Sequence, residues 1–183
     1  MAKMEWIAFF SQTGSEIAEL SKLLGRKPNL IVTNNFEEKI KFHPGIRELG
    51  VTIQSARHDM LMEYFRKQLI MKPEDVLITL HGYSRILPSD ICEMYEIYNG
   101  HPGAIDLYPE LKGKDPQEKV WNDNDKYPII GSVVHECTAE LDAGAIVKAV
   151  HFKNRSYSRE DVYSTLKMAS LSAWNFFLKE KGL

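Results

Sequence analysis

Residues 75–80 read DVLITL, and after Asp75 no charged residue interrupts the run. A strand with one wet face alternates polar and apolar side chains, whereas an unbroken apolar run has both faces covered, as in a parallel sheet flanked by helices. WIAFF (6–10) and LIVT (30–33) are runs of the same kind, and VTI (51–53) reads as a third short strand. The segments between them change period. Ile17, Leu20, Leu23 and Leu24 predict a helix from Ser15, and Met60, Met62, Tyr64, Phe65, Leu69 and Ile70 predict a second from about Arg57, ended by Lys72-Pro73. Strand alternating with helix is the pattern of an α/β chain.

Pro88 followed by SDICEMY predicts a helix with its proline tolerated in the first turn, and EIYNGHPG a strand with its terminal loop. IIGSVVHE (129–136) and GAIVKAVHF (144–152) are β-rich runs joined by CTAELDA, a connection short enough to add antiparallel strands to the sheet. A last helix runs from Ser158 toward Lys179, with Ser158 as its N-cap and Glu160 and Asp161 in the favourable first turn. Val162, Leu166, Ala169, Ala173, Phe176 and Phe177 form its buried side. No repeat or linker divides the chain, so residues 1–183 are expected to form one domain.

Acidic and basic residues nearly cancel, 25 against 23, which excludes a broad basic surface for nucleic acid or an anionic membrane. No run approaches the ~20 apolar residues of a membrane span, and the start MAKMEWIAFF lacks a leader's long apolar core. Cys92 and Cys137 lie far apart in sequence within apolar runs, and read as reduced, buried thiols rather than a disulfide or a zinc site. A cytoplasmic protein acting on small molecules is expected.

In open parallel sheets ligands bind beyond the carboxyl ends of the strands, which singles out SQTGSE, HGYSRILP and YNGHPG. In SQTGSE, Thr13, Gly14 and Ser15 precede a helix whose free N–H groups favour an anion such as phosphate; the same residues also read as a plain cap, with Ser15 the capping side chain. YNGHPG is either a tight turn with an incidental His101 or half of a polar site completed by His135, Thr138, Glu140 and Asp142 of VHECTAELDAGAIV. A carboxylate beside an imidazole raises its pKa and orients it, and a carboxamide adds a neutral donor. Such a group can hold an oxyanion.

FSQTGSEI, HGYSRILP, YNGHPGAIDLYPELKG and GSVVHECTAELDAGAIV, in that order, resemble the folate-dependent formyltransferases, in particular the glycinamide ribonucleotide transformylases. The resemblance implies a single catalytic domain of Rossmann-like fold: a mainly parallel twisted sheet with antiparallel C-terminal strands and flanking helices. It implies transfer of a formyl group from the cosubstrate 10-formyltetrahydrofolate to the primary amine of a phosphorylated small molecule, without a metal. Asn99 and His101 then donate to the oxyanion, and Asp142 keeps His101 charged and helps remove the amine's proton. Arg85, Ile86 and Leu87 pair with and enclose the pterin, and the loop from Glu136 through Thr138 to Asp142 closes round the same ring. Thr13, Gly14 and Ser15 hold the acceptor's phosphate, with His135 supporting near the reacting groups.

His43, His58, His81 and His151 have no counterpart and read as surface or satisfied core histidines. Gln12 and Glu16 depart from the asparagines common around the phosphate loop. Ser170 falls, within a residue, where the family carries a glutamate that holds the acceptor's ribose. These departures leave open another amine, such as a modified nucleotide or an amino sugar nucleotide. A formyltetrahydrofolate hydrolase shares the trio but usually carries a regulatory N-terminal domain, and a non-catalytic folate or nucleotide binder is the alternative of a different class. The expected partners are a reduced folate and a phosphorylated amine, with no nucleic acid and no membrane, in a monomer or homodimer.

Overall fold

The computed structural model describes residues 4–183; Met1–Lys3, part of the start examined for a leader, lie outside the described residues. In chain order the elements are β1 (Glu5–Phe10), α1 (Ser15–Leu24), β2 (Leu30–Thr33), α2 (Pro44–Glu48), β3 (Ile53–Ser55), α3 (His58–Arg66), β4 (Val76–His81), α4 (Ser89–Met94), β5 (Glu96–His101), α5 (Pro116–Asn122), β6 (Ile129–Glu136), β7 (Ile146–Lys153) and α6 (Arg159–Glu180). The seven strands form one sheet in the order β3-β2-β1-β4-β5-β6-β7. The first five pair in parallel, and β6 and β7 are antiparallel. This is the expected α/β architecture.

The unbroken runs are covered on both faces. Trp6, Ala8 and Phe10 pack with Ile17 and Leu20 of α1, Ile46 of α2, and Ala173, Trp174 and Phe177 of α6, while Ile7, Phe9, Val32 and Ile78 pack with Leu61, Met62 and Phe65 of α3 and Ile91 of α4. All six residues of β4 are buried, and Asp75 stands just before it in a short turn. The strand order reverses between β1 and β4, so the loops after these two strands diverge and leave a crevice at the carboxyl edge. Among the described residues no helix is long and apolar enough to cross a membrane.

Several boundaries differ from the sequence reading. The third strand is Ile53–Ser55 rather than 51–53. Helix α3 stops at Arg66 because Gln68 adopts a left-handed φ of 52°, letting the amides of Gln68 and Leu69 return to the carbonyls of Phe65 and Tyr64. Leu69, expected on the buried side, is therefore exposed, as is Met60 on the outer face of α3. Phe176 is 53% exposed, because two residues past Trp174 the helix has turned it to the opposite side. Ser15 does not cap α1: Gly14 is the cap, at φ 74°, with no side-chain capping bond. Pro88 stands at the cap of α4 rather than inside its first turn. Ser158 does cap α6, in a reciprocal pair with Asp161.

Gly100, between Asn99 and His101, has a packing reason. A Cβ built there lies 2.5 Å from Trp174 Nε1, so α6 can seat on β5 only over a bare backbone. Gly100→Ala is expected to cost about 1–3 kcal/mol by overpacking, read as a lower urea midpoint with an unchanged slope.

Candidate active site

The antiparallel pairing of β5 with β6 sets Asn99 directly opposite His135. His101 lies two residues beyond Asn99 on the same side of its strand, and is buried. Its Nε2 donates to the Leu111 carbonyl at 2.9 Å and its Nδ1 faces Asp142 Oδ2 at 3.3 Å. Asp142 arrives from the short β6–β7 connection with φ 50°, and the Gly113 amide donates to its Oδ2 at 2.8 Å. Its other oxygen lies 3.4 Å from His135 Nε2. His135 Nδ1 donates to the Glu136 carbonyl at 2.7 Å, and its Nε2 stands 3.2 Å from Asn99 Nδ2. Asn99, His101 and Asp142, expected to converge, are thus joined, and His135, expected to support them nearby, is in direct contact with Asn99 and Asp142.

A carbonyl and a carboxylate both accept, so the His101 ring satisfies both neighbours only with an N–H on each nitrogen. His135 sits between two partners of opposite kind. Its Nε2 accepts from the Asn99 amide when neutral and donates to Asp142 when charged. Burial by itself would push the Asp142 carboxyl up, but hydrogen bonds from His101 and His135, the His101 charge and the Gly113 amide together hold it well below the usual carboxylate range.

Two cavities lie at this cluster, which lines the first and is reached by the second through Gly100 and Pro102 on either side of His101. The first, of about 430 Å³, is lined by Arg85, Ile86 and Leu87 on one side and Thr138, Leu141 and Asp142 on the other, with Asn99, His101 and His135 at its base. Ile86 and Leu141 are exposed toward it, while Leu87 is core. Glu136, expected on this wall, is not among its lining residues. Strand alternation turns its side chain away from the His135 side, and its backbone is bound to Ala145 and His135. Tyr83 and Leu141 also line the cavity; neither was singled out by itself, although Tyr83 lies within HGYSRILP and Leu141 within the loop from Glu136 to Asp142.

The second cavity, of about 590 Å³, runs from Thr13, Gly14 and Ser15 to Tyr163, Lys167 and Ser170 of α6, and shares Gly82, Gly100 and Pro102 with the first. His135 is absent from this wall, so the structure places it on the side of Arg85–Leu87 rather than with Thr13–Ser15. His43, His58 and His151 are satisfied by Gly45, Tyr83 and Asp106. His81 is also satisfied in the core, yet it borders the cavity. Its Nδ1 is 2.8 Å from Glu16 Oε2 and its Nε2 2.8 Å from Thr79 Oγ1, which in turn accepts from the Trp6 indole at 2.8 Å.

The other Glu16 oxygen accepts from Ser170 Oγ. The two departures noted in the sequence therefore touch each other: a carboxylate reaches the Ser170 position from α1. Burial would push Glu16 up, but the hydrogen bond and charge of His81, with Ser170 and Lys167 behind them, hold it below the ordinary carboxylate range. His81 ends β4, so the strand-end rule that selected HGYSRILP was the signal for it.

A doubly wound sheet with paired cavities at its carboxyl edge, one of them lined by a carboxamide, two imidazoles and a carboxylate, is the architecture of a group-transfer enzyme. The chain belongs to the formyl transferase family of enzymes, whose sequence profile matches residues 26–173. In fold it is similar to a phosphoribosylglycinamide formyltransferase from Campylobacter jejuni, at 18% identity and TM-score 0.80, with 100% of each chain covered. A second such enzyme, from Anaplasma phagocytophilum, is 21% identical with TM-score 0.77 over 97% of this chain and 86% of its own. A formyltetrahydrofolate deformylase from Pseudomonas syringae is 18% identical with TM-score 0.66, over 94% of this chain and 59% of its own. No curated protein sequence matches the chain.

The Asp142 depression fixes a sign. A carboxylate whose folded pKa lies below its unfolded value of about 3.9 stabilises above that value, and its contribution is lost as pH falls below it. The difference in melting temperature between wild type and Asp142→Asn is accordingly expected to be largest near neutrality and to shrink steadily below about pH 4.

Proposed function

We propose that this enzyme transfers the formyl group of 10-formyltetrahydrofolate to the primary amine of a phosphorylated small molecule. Glycinamide ribonucleotide, which the names of the similar structures indicate for those proteins, is the first acceptor to test. The observation that carries this reading is the convergence of Asn99, His101 and Asp142 in the first cavity, beside the Gly100 and Pro102 that it shares with the second.

The first cavity suits a reduced folate. Its volume lies within the range of small-molecule sites, Ile86 and Leu141 offer apolar contact to a flat ring, and the backbone from Arg85 to Leu87 offers polar groups at its edge. The folate, when bound, supplies an activated formyl group. The remaining steps belong to the chain. Asn99 presents its amide, and His101 presents Nδ1–H, whose 3.3 Å contact with Asp142 is long enough to be shared with a ligand oxygen. Both donors are aimed at negative charge that develops on the formyl oxygen, an arrangement that lowers the barrier because the donors are fixed beforehand. Asp142 holds the His101 ring in place. Its depressed pKa suits this role and makes it a poor acceptor for the amine's proton, so the proton-removing half of the role first expected of it loses support.

In the second cavity, Thr13, Gly14 and Ser15 place the first amides of α1 toward the acceptor's anionic end, with Lys167 on the facing helix. Glu16 supplies the carboxylate that Ser170 does not. With 10-formyltetrahydrofolate and glycinamide ribonucleotide, tetrahydrofolate is expected to accumulate; its absence with every phosphorylated amine in an acceptor panel would refute the reading. Asn99→Ala is expected to lower kcat by about 10²–10³-fold with little change in folate affinity. Glu16→Gln is expected to raise the acceptor KM by about tenfold while leaving folate binding unaltered, checked by initial rates and folate titration.

A further inference from the structure

Cys92 and Cys137 are separated by 45 residues in sequence, yet their sulfur atoms stand 3.8 Å apart, both half-buried and both free. They join two segments that matter. Cys92 lies in the first turns of α4, with Sγ 3.9 Å from the carbonyl of Leu87, a residue of one wall of the first cavity. Cys137 follows β6 directly, lines that cavity itself, and opens the loop that carries Thr138, Leu141 and Asp142 along the opposite wall. Its amide is fixed to the Ile97 carbonyl at 2.9 Å. A disulfide requires the sulfurs to approach from 3.8 Å to about 2.05 Å, a shift that rotation of the two side chains and movement of the walls that carry them must share.

We infer that Cys92 and Cys137 are a thiol modification site, oxidised to an intramolecular disulfide by low-molecular-weight disulfides such as glutathione disulfide, and that the closed bond narrows the first cavity and weakens folate binding. The first thiol loses its proton and attacks one sulfur of glutathione disulfide, expelling one glutathione thiolate and leaving a mixed disulfide on the protein. The second, also deprotonated, attacks the protein sulfur of that mixed disulfide and expels the second glutathione. Two protein thiols are oxidised and one glutathione disulfide is reduced to two thiols. Cys92 is the better first attacker. Its Sγ lies on the opposite side of the pair from the cavity that Cys137 lines, and Cys137 at 3.8 Å is placed to resolve the mixed disulfide.

The disulfide stands on the sulfur geometry alone, and its effect on ligand rests on the folate reading given above. The test incubates the full-length protein with excess glutathione disulfide, removes the oxidant, and measures intact mass, thiol alkylation and tetrahydrofolate affinity. Wild type is expected to lose ~2 Da as a monomer, to resist alkylation at both positions, and to bind tetrahydrofolate at least about fivefold more weakly, with full recovery on reduction. Cys92→Ser is expected to form no internal disulfide and, in the fraction whose intact mass shows no glutathione adduct, to keep the reduced protein's affinity under the same treatment. Failure of the internal bond to form, or oxidised affinity within about twofold of reduced, overturns the inference. Reduced wild type that binds no tetrahydrofolate overturns the folate reading and the claimed effect on ligand together, and the mass and alkylation results then decide the thiol site on their own.

Discussion

A buried carboxylate bound by two imidazoles is the constraint around which the rest of the site is arranged. Asp142 meets His101, His135 and the Gly113 amide, and each belongs to a different segment: the end of β5, the end of β6 and the loop before α5. A charge taken out of water is costly unless such partners replace its hydration. Those segments are therefore fixed in position by electrostatic need as well as by packing. The Leu111 carbonyl extends the same logic one bond further, since it holds the far nitrogen of His101 and prevents the ring from turning.

The sheet topology explains why this cluster can serve two ligands. Reversal of strand order between β1 and β4 opens the crevice, and Gly82, Gly100 and Pro102 form the thin partition where its two compartments touch. Small or side-chain-poor residues at the partition let ligands from either side approach each other within bonding range. The bulk that fills this region lies behind the backbone, in Trp174, which is why α6 belongs to the site although it contributes no member of the cluster around Asp142.

Most of the fold was legible because strands such as DVLITL are continuous apolar runs and others such as IIGSVVHE are rich in β-branched residues, which leaves few alternatives. The motif residues at strand ends were legible for the same reason, since a strand's end locates its loop. What escaped has identifiable causes. Helices α2 and α5 begin with Pro44 and Pro116, a signal the reading passed over because neither segment shows a long apolar period. The end of α3 depends on Gln68 taking a conformation usually reserved for glycine. Glu136 was assigned to a wall as part of a contiguous loop, whereas strand alternation extends one residue further and turns it away. The contacts of Glu16 with Ser170 and of Cys92 with Cys137 join positions 154 and 45 residues apart, and no local pattern encodes them.

The β6–β7 hairpin has a consequence beyond its place in the sheet. A parallel partner to β6 would need a crossover of a dozen or more residues, while an antiparallel one needs only the few that carry Cys137 to Gly144. One tight reversal thus delivers an imidazole on its way out and a carboxylate on its way back. New chain ends opened inside this turn would leave every strand pairing available, yet they would untether the aspartate from the histidine it serves. Circular permutants cut there would separate the formation of the sheet from the assembly of the cluster around Asp142.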